Sequence, residues 1–103
     1  MPEEGYPTEE ELKRVAEWDR HDPKGWLEFV KSIWWAADWG WTETLEFAAS
    51  GWSRLHHVST GGWSGNESII GAMLDNRTLW AQVWESTRRG GHYVFLVGDS
   101  VVK

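Results

Sequence analysis

The chain has 103 residues, of which 41% are hydrophobic and 25% are charged, and it contains no cysteine. Length and composition predict a single globular domain, 1–103, that can bury its own core. The absence of cysteine excludes disulfides and thiolate metal sites. Because no signal-peptide pattern and no apolar run long enough to span a membrane occurs, we expect a cytoplasmic protein with no membrane partner.

The formal net charge is −6, and much of it lies near the start of the chain. Five of the 16 acidic residues precede the first basic residue, Lys13, so the rest of the chain is close to neutral. A nucleic-acid polymer is therefore not expected as a partner, because phosphate-backbone binding needs a basic face. We expect residues 1–8 to be a flexible acidic segment and residues 99–103 to be a frayed tail.

Two helices are predicted in the first third of the chain. Thr8 and Glu11 form a capping-box pattern, which predicts a helix over 9–19. Asp22 and Pro23 are typical of a helix start, and apolar residues at helical spacing follow. The second helix is predicted over 23–37.

Strands are predicted next. Alternating residues predict a strand over 41–47, and the turn signal at Ser50 and Gly51 joins it to a second strand over 52–59, which makes a β-hairpin. Ser64 and Glu67 form a second capping-box pattern, which predicts a long helix over 66–88.

The last part of the chain completes the predicted order. Trp80 and Trp84 would lie one turn apart on the long helix, and Gly90 and Gly91 would end it before a final strand over 92–97. The order α-α-β-β-α-β predicts an α+β domain. Its small, three-stranded, mainly antiparallel sheet would have helices packed on one face. The other face would then be left for a ligand, a partner or tryptophan side chains.

Tryptophan is the unusual residue, with ten copies in this short chain. Ten are too many for so small a core, because each indole is bulky and carries an N–H that needs a partner when buried. Some of them are therefore expected to line a groove or an interface, where tryptophan is enriched.

The loop 59–67 is the first candidate site. It is rich in Ser, Thr and Gly and leads into a predicted helix, so its free backbone N–H groups could hold a phosphate or carboxylate. Its glycines could also serve only to shape the turn. No Walker lysine follows, so an ATP-binding P-loop is not supported.

Two further groups extend this site. Arg77, Trp80, Trp84 and Trp63 combine guanidinium and indole groups, which suits a nucleobase attached to a phosphate, although core packing is the alternative for Trp80. A basic rim could come from residues 88–93, although cations that complement the helix dipole and a turn are the favoured explanation. The predicted ligand-binding residues are Thr60, Gly61, Gly62, Trp63, Ser64, Asn66, Arg77, Trp80, Trp84, Arg88, Arg89 and His92.

The histidines do not predict a metal site. His56 and His57 are adjacent, so in a strand they would point to opposite faces, and no metal-ligand spacing occurs elsewhere. No hydrolase nucleophile motif is present either. We therefore predict no catalytic residue, no metal and no cofactor, and the balance favours a protein that is not an enzyme.

Several segments resemble a group of small tryptophan-rich bacteriophage proteins, chiefly those of phages that infect actinobacteria. The strings that carry the resemblance are 59–67, Ile69-Ile70, Trp80 with Trp84, 88–93, and the segments 32–35 and 38–41. Segment 42–58 departs from the pattern. The resemblance implies a phage product in the host cytoplasm, and by analogy with small phage proteins a role against host defence, but no catalytic role.

Three hypotheses follow. The leading one is a non-enzymatic protein that sequesters a small anionic, nucleotide-like ligand. The second is a protein–protein inhibitor that uses exposed tryptophans and the acidic segment against a host protein. The third is an enzyme acting on a nucleotide or sugar-phosphate, with His92 or His57 as general base and Glu67 as partner. The excess of tryptophan and the small three-stranded sheet also make a homo-oligomer a possible assembly.

Overall fold

The computed structural model describes residues 6–48 and 51–98. Most of the acidic segment 1–8, expected to be flexible, and the whole tail 99–103, expected to be frayed, lie outside the described residues. The elements are α1 (Glu9–Ala16), α2 (Pro23–Ile33), α3 (Ala37–Gly40), β1 (Trp41–Ala48), β2 (Gly51–Ser59), α4 (Ser64–Asp75), α5 (Arg77–Val83), β3 (Trp84–Arg88) and β4 (His92–Gly98).

The four strands form one antiparallel sheet in the order β1-β2-β4-β3. The predicted α+β class and the hairpin β1–β2 are confirmed, but the prediction of three strands is wrong. The additional strand, β3, comes from the last part of the segment predicted as the long helix 66–88. It pairs with β4, whose other edge is already paired with β2.

The predicted long helix breaks at Asn76. The Asn76 side chain donates to the backbone oxygens of Val15, at 3.4 Å, and Trp18, at 3.1 Å, and it accepts from the Leu79 amide at 3.3 Å. These bonds end α4 and cap α5. Helical periodicity alone cannot reveal such a break, because the partners that cause it are some 60 positions away in the chain.

The prediction that Trp80 and Trp84 share one face of a long helix is therefore wrong. Trp80 lies on α5 and contacts the rings of Tyr93 and Phe95 edge-on, at centroid distances of 6.0 and 5.4 Å. Trp84 begins β3 and its indole N–H donates to the Thr87 hydroxyl.

The second helix is shorter than the predicted 23–37. The chain leaves the helix at Trp34, whose indole N–H donates to the Ser59 carbonyl oxygen at 3.2 Å. The backbone N–H and C=O of Trp35 both bond to the Asn66 side chain, and Ala36 adopts a left-handed conformation with φ 58°. Contacts with distant residues override the local helical pattern here, and the short α3 then leads into β1.

The start of α1 is capped as predicted, with reciprocal bonds between Thr8 and Glu11 at 2.9 and 3.1 Å. Asp22 caps α2 by accepting from the Gly25 amide at 3.0 Å. The predicted capping box of Ser64 is wrong. Ser64 is already the first residue of α4, and its hydroxyl instead pairs with the Tyr6 hydroxyl at 3.0 Å.

The helices cover one face of the sheet. On the central strands, the buried side chains alternate with less buried ones, and the buried set is His56, Val58, Phe95 and Val97. Under them lie the apolar helix residues, among them Trp26, whose indole N–H donates to the Val15 carbonyl oxygen. Within the described residues, the opposite face of the central strands carries the less buried side chains, and we call it the open sheet face.

None of the helices in residues 6–48 and 51–98 has the length and apolar character needed to cross a bilayer.

Candidate ligand-binding cleft

A cleft of about 470 Å³ lies at one end of the open sheet face. All four strands and α3 contribute to its walls. Its lining residues are Trp39, Gly40, Thr42, His57, Val58, Ser59, Ser86, Arg88, His92, Tyr93 and Val94.

The strand register sets the floor of the cleft as two rows of side chains. The first row, running from β2 to β3, is Ser59, His92 and Arg88. The second row, running from β1 to β3, is Thr42, His57, Val94 and Ser86. Since side chains two positions apart share a face, both rows point to the open side of the sheet.

Trp39 forms the wall at the β1–β2 end and is 66% exposed. Two glycines make room for this wall. A Cβ atom on Gly40 would lie 2.8 Å from the Ser59 carbonyl oxygen, and one on Gly61 would lie 2.8 Å from the Trp39 ring. Gly61 also has φ 62°, which L side chains rarely adopt. The loop after β2 therefore supports the indole from below and leaves its remaining surface in solvent.

The same loop is fastened to the turn between β3 and β4. The Thr60 amide donates to the Gly91 carbonyl oxygen at 3.0 Å, and Thr60 itself is 2% exposed. Gly91 has φ 77°, and a Cβ there would collide with the Thr60 hydroxyl. This contact fixes the position of Trp39 relative to Arg88 and His92, which flank the turn.

The polar groups of the cleft can be donors or cations. They are the guanidinium of Arg88, the imidazoles of His57 and His92, and the hydroxyls of Thr42, Ser59 and Ser86. Within the described residues, no carboxylate is among the lining side chains. An exposed indole beside hydrogen-bond donors suits a planar group that carries a negative charge.

The imidazole of His57 contacts the hydroxyl group of Thr44 on β1. Its Nε2 lies 3.2 Å from the Thr44 hydroxyl oxygen, across the β1–β2 pair. This contact orients the ring and leaves Nδ1 available to a ligand.

His56 points the other way, as predicted for neighbouring residues in a strand. Burial lowers the pKa of His56 to about 4, so the ring is neutral near pH 7, and its Nδ1 accepts from the Trp41 indole N–H at 3.0 Å. Burial also acts to raise the pKa of nearby Glu43. The hydrogen bond from Lys31 at 2.6 Å and the one from Arg54 at 3.1 Å help to outweigh that effect and leave the pKa below its usual value.

Of the predicted site residues, only Arg88 and His92 line this cleft. Thr60 and Gly61 lie behind it and support Trp39, as described above. Arg77, Trp84 and Arg89 are exposed but do not line it.

The remaining loop residues belong to a different cluster. The Trp63 ring stacks on Trp35 at a centroid distance of 4.6 Å and lies 4.9 Å from Tyr6. Asn66 is 1% exposed, and its amide group bonds to the backbone of Trp35 and to the Thr60 carbonyl oxygen. Gly62 is exposed on the loop that precedes α4, and Ser64 is exposed at the first position of that helix. Trp80 is packed against the core.

The sequence did not single out several residues of the cleft, chiefly Trp39, Thr42 and Ser86, and it included Ser59 only as the first residue of the candidate loop 59–67. His57 was considered as a metal ligand and as a general base, but not as a ligand-binding residue. One signal was present: Thr42, His57 and Ser59 are the polar positions of alternating strands. Their assembly depends on the register of a sheet whose fourth strand was not predicted, so the signal could not be used.

No group of three or more His, Cys, Asp or Glu side chains in the described ranges could hold a metal ion. Comparison with known proteins gives no relative: the chain matches no protein-family model, no curated protein and no solved structure.

Proposed function

We propose that this protein binds a small anionic, nucleotide-like ligand in the cleft on the open sheet face. The observation that carries the proposal is the pairing of a 66% exposed indole, Trp39, with Arg88 and two histidines in a cleft without lining carboxylates in the described residues. The planar base would stack on Trp39, and the phosphate would bond to Arg88 and the histidines.

The size and charge of the cleft favour a small ligand over a polymer. A cavity of about 470 Å³ is within the range of small-molecule sites. The chain carries 16 acidic residues against 10 basic ones, so its overall field repels a long polyanion, whereas the local cations of the cleft can still hold one phosphate group.

Titration of intrinsic tryptophan fluorescence with adenosine and guanosine mono-, di- and cyclic phosphates tests the proposal. We expect a saturable change with at least one compound, because stacking on Trp39 alters the emission of that indole. Arg88→Ala should weaken this binding about tenfold or more, since hydrogen bonds to charged groups contribute about 1.5–3 kcal/mol. Arg77→Ala, which removes an exposed arginine on α5, is the matched control and should bind like the parent.

A protein partner is the second candidate, and the β1–β2 hairpin favours it. Leu45 and Phe47 are 46% and 66% exposed near the turn of the hairpin. Large exposed apolar side chains are typical of interaction surfaces. If Phe47→Ser leaves nucleotide binding intact but prevents capture of a partner protein, the hairpin and the cleft have separate roles.

A further inference from the structure

We propose that the cleft hydrolyses a cyclic nucleotide, with His57 and His92 acting as an acid–base pair on the phosphodiester. This inference rests on the proposed function, because it needs the ligand phosphate to lie over the two histidines. It adds a reaction and a substrate class to that binding site.

The first argument is the placement of the two imidazoles. His92 pairs directly with Ser59, two positions from His57 on the same strand, so the two histidines are diagonal neighbours on one face. The Cα atoms of diagonal neighbours in an antiparallel pair of strands lie about 7–8 Å apart. Imidazoles that extend from two such positions can approach one bound phosphate from two sides, each with a hydrogen bond of about 2.8 Å.

The second argument is the surroundings of the pair. Arg88 lies directly opposite His92 on the neighbouring strand, where its guanidinium can bond to the non-bridging phosphate oxygens and stabilise their charge in the transition state. The Thr44 hydroxyl holds the His57 ring at 3.2 Å. Both histidines are exposed on the cleft side, so both can reach a bound ligand.

The third argument concerns the chemistry. Imidazole is the side chain that can both accept and donate a proton near neutral pH. The neutral imidazole of the pair removes a proton from a water molecule while the water oxygen forms a bond to phosphorus. The bond between phosphorus and one ribose oxygen breaks, and the protonated imidazole gives its proton to that oxygen. A cyclic nucleotide and water thus yield a nucleoside monophosphate, and the step needs no oxidant or reductant.

A cyclic phosphodiester suits the cleft better than a linear one. The leaving oxygen stays on the same ribose, so no second nucleoside has to be accommodated between the Trp39 wall and Arg88. The single negative charge of the diester also matches Arg88, the one arginine among the described residues that line the cleft.

The experiment uses the full chain and the 2′,3′- and 3′,5′-cyclic monophosphates of adenosine and guanosine. Binding is measured by fluorescence, and conversion is measured by mass spectrometry in ¹⁸O-labelled water between pH 5 and pH 8. We expect one compound to bind and to be converted to a monophosphate carrying one ¹⁸O atom, with a bell-shaped dependence of kcat on pH.

The variants identify the residues. His57→Ala and His92→Ala should each lower kcat by about 10²–10⁴-fold, a larger factor than their effect on the dissociation constant, and each should remove one limb of the pH profile. His21→Ala, an exposed histidine beside Asp19, is the control and should keep the parent rate.

Three results would overturn the proposal. If a cyclic nucleotide saturates the fluorescence change but is recovered unchanged, the hydrolysis is wrong and the binding proposal stands. If the conversion survives in both histidine variants, the assignment of the pair is wrong. If none of the cyclic compounds binds but a linear mono- or diphosphate does, the hydrolysis is wrong and the binding proposal stands, whereas binding of neither kind overturns both.

Discussion

At the scale of single residues, the environment of each tryptophan separates a structural role from a binding role. Trp26, Trp34 and Trp41 are buried, whereas Trp39 is 66% exposed and its ring is supported on one side by Gly61. A supported but exposed indole is preorganised for stacking, because little side-chain freedom is left to lose on binding.

Trp39→Ala should therefore lower ligand affinity about 10- to 100-fold, since base–aromatic stacking contributes about 1–3 kcal/mol. Its effect on the free energy of unfolding should stay below about 1 kcal/mol, because the side chain is mostly in solvent. Isothermal titration calorimetry and urea unfolding measure the two quantities. Trp84→Ala, at an exposed indole outside the cleft, is the control, and equal loss of affinity in both variants would contradict the role of Trp39.

Asn66 illustrates the opposite case, because it was predicted to bind ligand but is buried and bonded to the protein backbone. It is 1% exposed and its amide group satisfies the backbone of Trp35 and the Thr60 carbonyl oxygen. Asn66→Ala should lower the free energy of unfolding by about 2–4 kcal/mol, because it leaves buried backbone groups without partners. Thermal unfolding checks this, with Ser64→Ala as the exposed neighbour. A stable Asn66→Ala protein that cannot bind ligand would place the site in the loop instead.

At the scale of elements, strand pairing and other long-range contacts determine helix ends and one strand that local sequence patterns could not predict. The caps at Thr8 and Asp22 depend on residues three positions away, so the sequence predicts the starts of α1 and α2 correctly. The ends of the helices depend on distant contacts: Asn66 draws the chain out of α2, and Asn76 divides the predicted long helix. As a result β3 was missed, and with it the row that brings Arg88 opposite His92.

The packing of β2 on the helices also predicts a dependence of stability on pH. The pKa of His56 falls from 6.5 in the unfolded chain to about 4 in the folded protein. Between these values the unfolded chain binds a proton that the folded protein does not, so stability is fully present above about pH 6.5 and declines as pH falls. The lowered pKa of Glu43 adds a loss only below its usual value of 4.5.

Urea unfolding at pH 7 and at pH 5 measures this effect. We expect the free energy of unfolding to fall by about 1–2 kcal/mol between the two pH values. His56→Gln should remove most of that difference, while His57→Gln, on the opposite face of the same strand, should retain it. If the two variants behaved alike, burial of the His56 ring would not be the cause.

At the scale of the whole molecule, the sheet separates two different surfaces. One face is closed by the helices, and the other carries the cleft at the end fixed by the contact between Thr60 and Gly91. From the sequence, an uncovered sheet face was predicted, and the excess of tryptophan predicted a binding role. The binding site itself was predicted in the loop 59–67. That loop supports the cleft from behind, a relation that depends on the positions of β1 and α3 and could not be derived from the loop itself.

The acidic start of the chain distinguishes ligand binding from a protein partner at this scale. A chain that begins at Tyr6 keeps the Tyr6 contact with Trp63 and the capping box of α1 but loses Glu3 and Glu4. Its affinity for a nucleotide should stay within about twofold of the parent, because the cleft is built from other elements. Isothermal titration calorimetry of the parent chain and of the shortened chain measures this affinity. A large loss of affinity in the shortened chain would favour the acidic segment as part of the binding surface.

The central claim is that ligand binds at the open sheet face, and nitrogen-15 NMR during nucleotide titration tests it most directly. The account predicts saturable shifts in the indole N–H of Trp39 and in the amides of His57, Ser59, Arg88 and His92, with little change at the indole of Trp63. Shifts confined to Trp63 and the neighbouring amides of 62–66, or no shifts with any nucleotide in the panel, would contradict it.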